Sequence, residues 1–153
     1  MNKSSFGFDT PEDSPGFLLW QTTITWQRLI KKALDVYEIS HAQFVILAIT
    51  LWFENTSQEV SQSIIIRQSK LDKMTVSKSL KKLVAEGYVK RMEHKEDTRA
   101  KSVHLTKKGK LTAAKLIPIV EGIDEAFFGS IKKSDQKTLI TLLNKLVSTT
   151  DVV

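Results

Sequence analysis

Apolar residues recur at intervals of three and four over most of this chain. Across residues 17–38 the positions Leu19, Trp20, Thr23, Trp26, Ile30, Ala33, Leu34 and Tyr37 follow that spacing, which predicts an amphipathic helix. Ser40 is the expected N-cap of a second helix. Its run Phe44, Val45, Ile46, Leu47, Ala48, Ile49, Leu51, Trp52 and Phe53 is apolar nearly all round, so it is expected to be the buried central helix. Two short helices follow. The first covers about residues 61–68; the second starts after Asp72, a good N-cap, and stops at Gly87. Val76, Leu80, Leu83 and Val84 form its expected buried stripe, and Lys73, Ser77, Lys78, Lys81 and Lys82 its expected solvent face. Two short helices with a tight connection are the sequence form of a helix-turn-helix.

After Gly87 the period changes to that of a strand. Residues 88–92 and 101–105 are two short strand candidates, with Val103 and Leu105 on one face and His104 on the exposed one. The intervening segment is charged and too long for a tight hairpin, so the pair reads as a β-ribbon with a polar tip, a wing. Thr106 is expected to cap a long helix to about residue 129, kinked at Pro118. Ser134 is expected to cap a last helix lined by Leu139, Leu142, Leu143 and Leu146. Pro11, Pro15, Gly7 and Gly16 make residues 1–16 an extended arm.

Composition narrows the functional classes. The chain of 153 residues, 41% hydrophobic and 26% charged, suits one globular domain. It has no cysteine, which excludes disulfides, thiolate metal sites and thiol switches. The longest uncharged run, between Glu38 and Glu54, is 15 residues long, too short to span a bilayer. With no apolar leader at the N-terminus, a cytoplasmic protein is expected. The formal charge of +6 is unevenly placed. Residues 67–110 hold 14 Lys and Arg against five Asp and Glu, a local +9, while the remainder is −3. A basic centre between acidic ends points to a polyanionic partner.

The segment Asp97-Thr98-Arg99-Ala100-Lys101-Ser102-Val103-His104-Leu105-Thr106, together with Leu83-Val84-Ala85-Glu86-Gly87-Tyr88-Val89-Lys90-Arg91, resembles the MarR family of bacterial winged-helix transcription factors. The first fits that family's D-x-R wing signature and L-T; the second fits its junction between recognition helix and wing. The resemblance extends over about residues 15–148. Two departures stand out: Lys70 occupies a position where a turn glycine is common, and Lys95 one where proline is frequent. The implied fold class is mainly α with a small β-wing, a winged helix-turn-helix DNA-binding lobe plus a helical dimerisation lobe. The implied organisation is a flexible arm at 1–16 and a single domain at 17–153. Its winged helix-turn-helix would occupy about 57–106 and its dimerisation helices about 17–38 and 107–150.

The residues suit DNA. A recognition helix presents short polar and cationic groups to base edges and phosphates. Lys73, Thr75, Ser77, Lys78, Lys81 and Lys82 supply them on the second short helix, and Lys95 and Arg99 on the wing, where Arg99 can enter the minor groove. The resemblance assigns Asp97 to orienting the wing. It implies a homodimeric repressor on a pseudo-palindromic double-stranded operator. It also implies a small aromatic or anionic effector, with Ser77 and Arg91 at positions that contact phenolic acids in relatives. Arg91 as a wing-base ion pair or phosphate contact remains the alternative, and the tryptophans Trp20, Trp26 and Trp52 are open between core and pocket. No metal site, cofactor or catalytic residue is expected: His41, His94 and His104 are scattered, and no phosphate-loop or nucleophile motif occurs. The competing reading is a winged-helix protein-interaction module without sequence-specific DNA binding.

Overall fold

The computed structural model describes residues 4–93 and 101–149. Helix starts are fastened by side chains. Ser14 Oγ accepts from the Phe17 amide, and Pro15 takes the first helical position, where its fixed φ and missing N–H cost nothing. Helix α1 therefore spans Pro15–Asp35, beginning two residues earlier than the apolar spacing predicts. It ends before Glu38, whose φ of 56° cannot continue a helix. Ser40 and Gln43 form a reciprocal capping box at the start of α2, His41–Asn55: Ser40 Oγ accepts from the Gln43 amide, and Gln43 Oε1 from the Ser40 amide.

Ser61 caps α3, Gln62–Ser69, which ends with Lys70 in the left-handed region at φ 59°. Asp72 caps α4, Lys73–Ala85. At its end Gly87 adopts φ 80°, with its amide bonded to the Val84 carbonyl and the Tyr88 amide to that of Leu83. This Schellman closure needs a residue without a Cβ penalty, which glycine supplies. Strands β1, Val89–Glu93, and β2, Lys101–Leu105, pair antiparallel with Val89 opposite Leu105 and Arg91 opposite Val103. The other edge of β2 is also engaged. The Val103 amide donates to the Val60 carbonyl at 2.8 Å, and Ser61 bridges to Ser102. Thr106 caps α5, Lys107–Phe128, and α6 spans Lys133–Thr149.

Helix α2 is shared by two cores. Ile46 and Leu47 join Val60, Ile65, Val76, Leu80, Leu83, Val89, Val103 and Leu105 inside the winged lobe. Phe44 joins Ile30, Leu34, Ile39, Leu116 and Val120 between α1, α2 and α5. Truncating a fully buried leucine such as Leu47 or Leu80 is expected to cost about 2–5 kcal/mol. The central position of α2 thus follows from its all-round apolarity, apart from Trp52, which is 70% exposed.

Several local expectations are corrected. Val84 lies outside the buried stripe, because one residue beyond Leu83 turns about 100° away from the core. The first strand runs one residue later than expected, since the Tyr88 amide is spent closing α4. Ser134 sits inside α6, which already starts at Lys133. His104 is half-buried, because Glu54 at the end of α2 lies across its side of β2. As expected, α5 continues through Pro118, which is exposed, so the carbonyl its missing N–H leaves unpaired lies on the solvent side. No helix among the described residues is long and apolar enough to cross a membrane.

Candidate nucleic-acid interface

The geometry of α4 is set at its first turn. Asp72 Oδ1 accepts from the Thr75 amide at 2.8 Å and Oδ2 from the Thr75 hydroxyl at 2.6 Å. These bonds, the hydroxyl's first, hold the Asp72 carboxyl below its ordinary range. The buried stripe of Val76, Leu80 and Leu83 then fixes the opposite face outward. That face is a ridge of Met74, Lys78 and Lys81, spaced by four and three and all exposed. Lys73 is exposed beside it.

The remaining expected contacts are placed differently. Ser77 is half-buried toward α3, and its Oγ accepts from Gln62 Nε2 at 2.6 Å, joining the two helices of the motif. Lys82 is exposed on the flank facing the α1–α2 connection, with Nζ 3.9 Å from Glu86 Oε1. There it lines a cavity of about 750 Å³ with Arg28, Lys31, Glu38 and His41. Lys95, Asp97 and Arg99 lie outside the described residues, as does His94.

Two polar groups at the wing base stand out in the structure. Glu54 Oε1 accepts from the Leu105 amide at 2.9 Å and lies 4.0 Å from His104 Nδ1, while Oε2 is 3.7 Å from Lys110 Nζ. His104 Nε2 in turn contacts Ser102 Oγ at 3.2 Å, and that hydroxyl donates to the Met92 carbonyl. One carboxylate therefore connects α2, β2 and α5. Sequence reasoning misses this role of Glu54, whose one signal is an acid closing an otherwise apolar helix. Arg91 shares the inward face of the ribbon with Val89, and its Nε and Nη2 are buried without a hydrogen-bond partner among the described residues. Leaving such donors unpaired is costly.

A third cluster joins α1, α2 and α5. Trp26 Nε1 donates to Asp124 Oδ1 at 2.7 Å, and the Trp26 ring meets His41 edge-on with centroids 5.3 Å apart. Burial pushes His41 below the ordinary imidazole range; the Asp124 charge opposes this in part. Trp26 is therefore a packing residue of the α1–α2–α5 core, half-buried, whereas Trp20 and Trp52 are exposed.

Residues 35–122 match the ArnR1-like winged-helix domain. The chain is 38% identical over 130 residues to the HTH-type transcriptional regulator YdcH of Bacillus subtilis, covering 84% of this chain and 87% of that one. Among solved structures it resembles BpsR of Bordetella bronchiseptica, whose DNA binding is regulated by 6-hydroxynicotinic acid. That likeness has a TM-score of 0.81 at 21% identity, covering 92% of this chain and 97% of that one. It also resembles a mutant MarR from E. coli complexed with operator DNA, with a TM-score of 0.76 at 23% identity over 88% and 95% of the two chains. With the helix-turn-helix, the two-stranded wing base and the long α5 in this order, the chain belongs to the ArnR1-like winged-helix family of HTH-type transcriptional regulators, and it has the fold of MarR.

Proposed function

We propose that the protein acts as a cytoplasmic homodimer that binds a pseudo-palindromic operator and represses the promoter beneath it. The observation that carries this reading is the cationic outward ridge of α4, held away from the core by the Asp72 cap and the Val76–Leu80–Leu83 stripe. Lys73, Lys78 and Lys81 meet phosphates and guanine edges; Thr75 and Ser77 keep the helix slim at the groove. Lys82 contributes charge from the flank, and Lys95 and Arg99 contact the backbone and minor groove, with Asp97 orienting the wing. The operator-bound MarR structure supports a groove-inserted α4.

The dimer is built from about residues 17–38 and 107–150, beyond the winged lobe at about 57–106. In support, α6 has no buried residue, and Leu142, Leu143, Leu146 and Val147 are exposed along it, as are Phe17, Leu18, Leu19 and Trp20 at the start of α1. A small aromatic carboxylate modulates the dimer. Its acid group pairs with the Arg91 guanidinium, and Ser77, which accepts from Gln62, donates its own proton to the ligand. The regulation of BpsR by 6-hydroxynicotinic acid supports that ligand class. No cofactor is required.

Fluorescence anisotropy with the DNA upstream of its own coding sequence, against a scrambled duplex, tests the reading. Selective binding that weakens by on the order of 10³–10⁵ between 50 and 200 mM salt is expected for about 6–10 phosphate contacts. Equal, weak binding to both duplexes would overturn sequence-specific regulation. A panel of aromatic carboxylates that leaves operator affinity and Tm unchanged would remove the effector.

A further inference from the structure

We propose that Met74 is a specificity-determining residue that reads a thymine methyl group in each operator half-site. This rests on the DNA-binding reading above and adds which side chain discriminates a base. Met74 is the second residue of α4 and 82% exposed, the most exposed of the large apolar side chains among the described residues. It stands in the N-terminal turn, the part of a recognition helix that reaches base edges. It heads the same ridge as Lys78 and Lys81, so it faces wherever those cations face.

Elimination strengthens the assignment. Every other uncharged side chain of that turn is bonded or buried within the protein. The Thr75 hydroxyl donates to Asp72 Oδ2 at 2.6 Å, and Val76 is fully buried. Ser77 is half-buried toward α3 and holds Gln62. Both Asp72 oxygens already accept from Thr75, which holds the carboxylate over the first turn as the cap of the helix. The lysines can read only guanine edges, and their phosphate contacts carry no sequence. Met74 alone offers a polarisable apolar surface, and the one apolar feature of the major-groove edge is the thymine C5 methyl. An unbranched thioether also adapts its rotamers to a neighbouring methyl without needing a fixed partner in the free protein.

The decisive experiment removes the methyl from the DNA and the thioether from the protein in one cycle. The upstream duplex is synthesised with deoxyuridine replacing single thymidines symmetrically in both half-sites. Each duplex is titrated with the wild type, Met74→Ala and Met74→Leu. One uridine position is expected to weaken wild-type binding about fourfold per half-site, the effect of losing one buried methyl. The same position should leave Met74→Ala unchanged, and Met74→Leu should recover the discrimination. Because Met74 touches none of the core, all three proteins should share one Tm. Selective wild-type binding with identical uridine responses in wild type and Met74→Ala would overturn the assignment while leaving the DNA-binding reading intact. Wild-type binding without any sequence selectivity would overturn both.

Discussion

His41 occupies the first turn of α2, where burial disfavours its charged form and the Asp124 charge favours it. The sign of the resulting linkage is definite. The folded-state pKa lies below the ordinary imidazole value of about 6.5, so the folded protein releases this proton more readily than the unfolded chain. Its contribution to stability is complete above that value, and it declines as pH falls through it toward the folded-state pKa. Thermal unfolding followed by circular dichroism should therefore give a Tm that drops between about pH 7.5 and 5.5. The drop should be shallower in His41→Gln, and parallel curves for the two proteins would remove His41 as its source. Lys70 shows a different residue-scale tension: a non-glycine side chain is held at φ 59° in the turn between α3 and α4. The tight connection forms nonetheless, so the turn tolerates the small strain of a left-handed lysine.

The junction of α4, β1 and α5 shows how elements are locked together. The Thr106 amide donates to the Tyr88 carbonyl, its hydroxyl donates to the Gly87 carbonyl at 2.6 Å, and Lys108 Nζ donates to that of Glu86. Gly109 presses against the same backbone: a Cβ there would overlap the Tyr88 carbonyl oxygen and crowd Leu105. Gly109→Ala should thus destabilise the fold by about 1–3 kcal/mol in urea titration, despite alanine's better helix propensity. A midpoint equal to wild type would mean that α5 moves aside freely. This close approach is not legible in the sequence, where Gly109 follows Lys107 and Lys108 like any surface glycine. The caps at Ser40, Asp72 and Thr106 are legible, because a cap bonds only two or three residues ahead. The pairing of Val60 with Val103 is not: two residues in a loop carry no period, and their partner lies 43 positions away. Likewise, nothing near Ser77 announces that Gln62, 15 residues earlier, takes its hydroxyl.

For the whole molecule, the apolar sides of α1 and α6 dominate. Helix α6 has no buried residue, and Leu142, Leu143 and Leu146 stay exposed in the single chain. Replacing Leu142 and Leu146 together by glutamate should yield a monomer in sedimentation velocity at micromolar concentration. In the proposed dimer four leucine side chains across a two-fold axis would lose their burial, each worth about 1.5–3 kcal/mol. An unchanged sedimentation coefficient would remove these leucines from the proposed dimer contact. The order of elements and the shared central helix are readable from periodicity alone, whereas the destination of the cations is not. Lys82 looks equivalent to Lys81 in sequence, yet one more residue of helical rotation sends it toward Glu38 and the α1–α2 cavity. The separation between the outward ridge of α4 and its anchored side has an evolutionary corollary. Met74, Lys78 and Lys81 can be exchanged at almost no cost to stability, since they bury nothing and cap nothing. Descendants of this chain can therefore drift to new operators by substitutions on that ridge alone, while the Asp72–Thr75 and Gln62–Ser77 bonds keep the reading head in place.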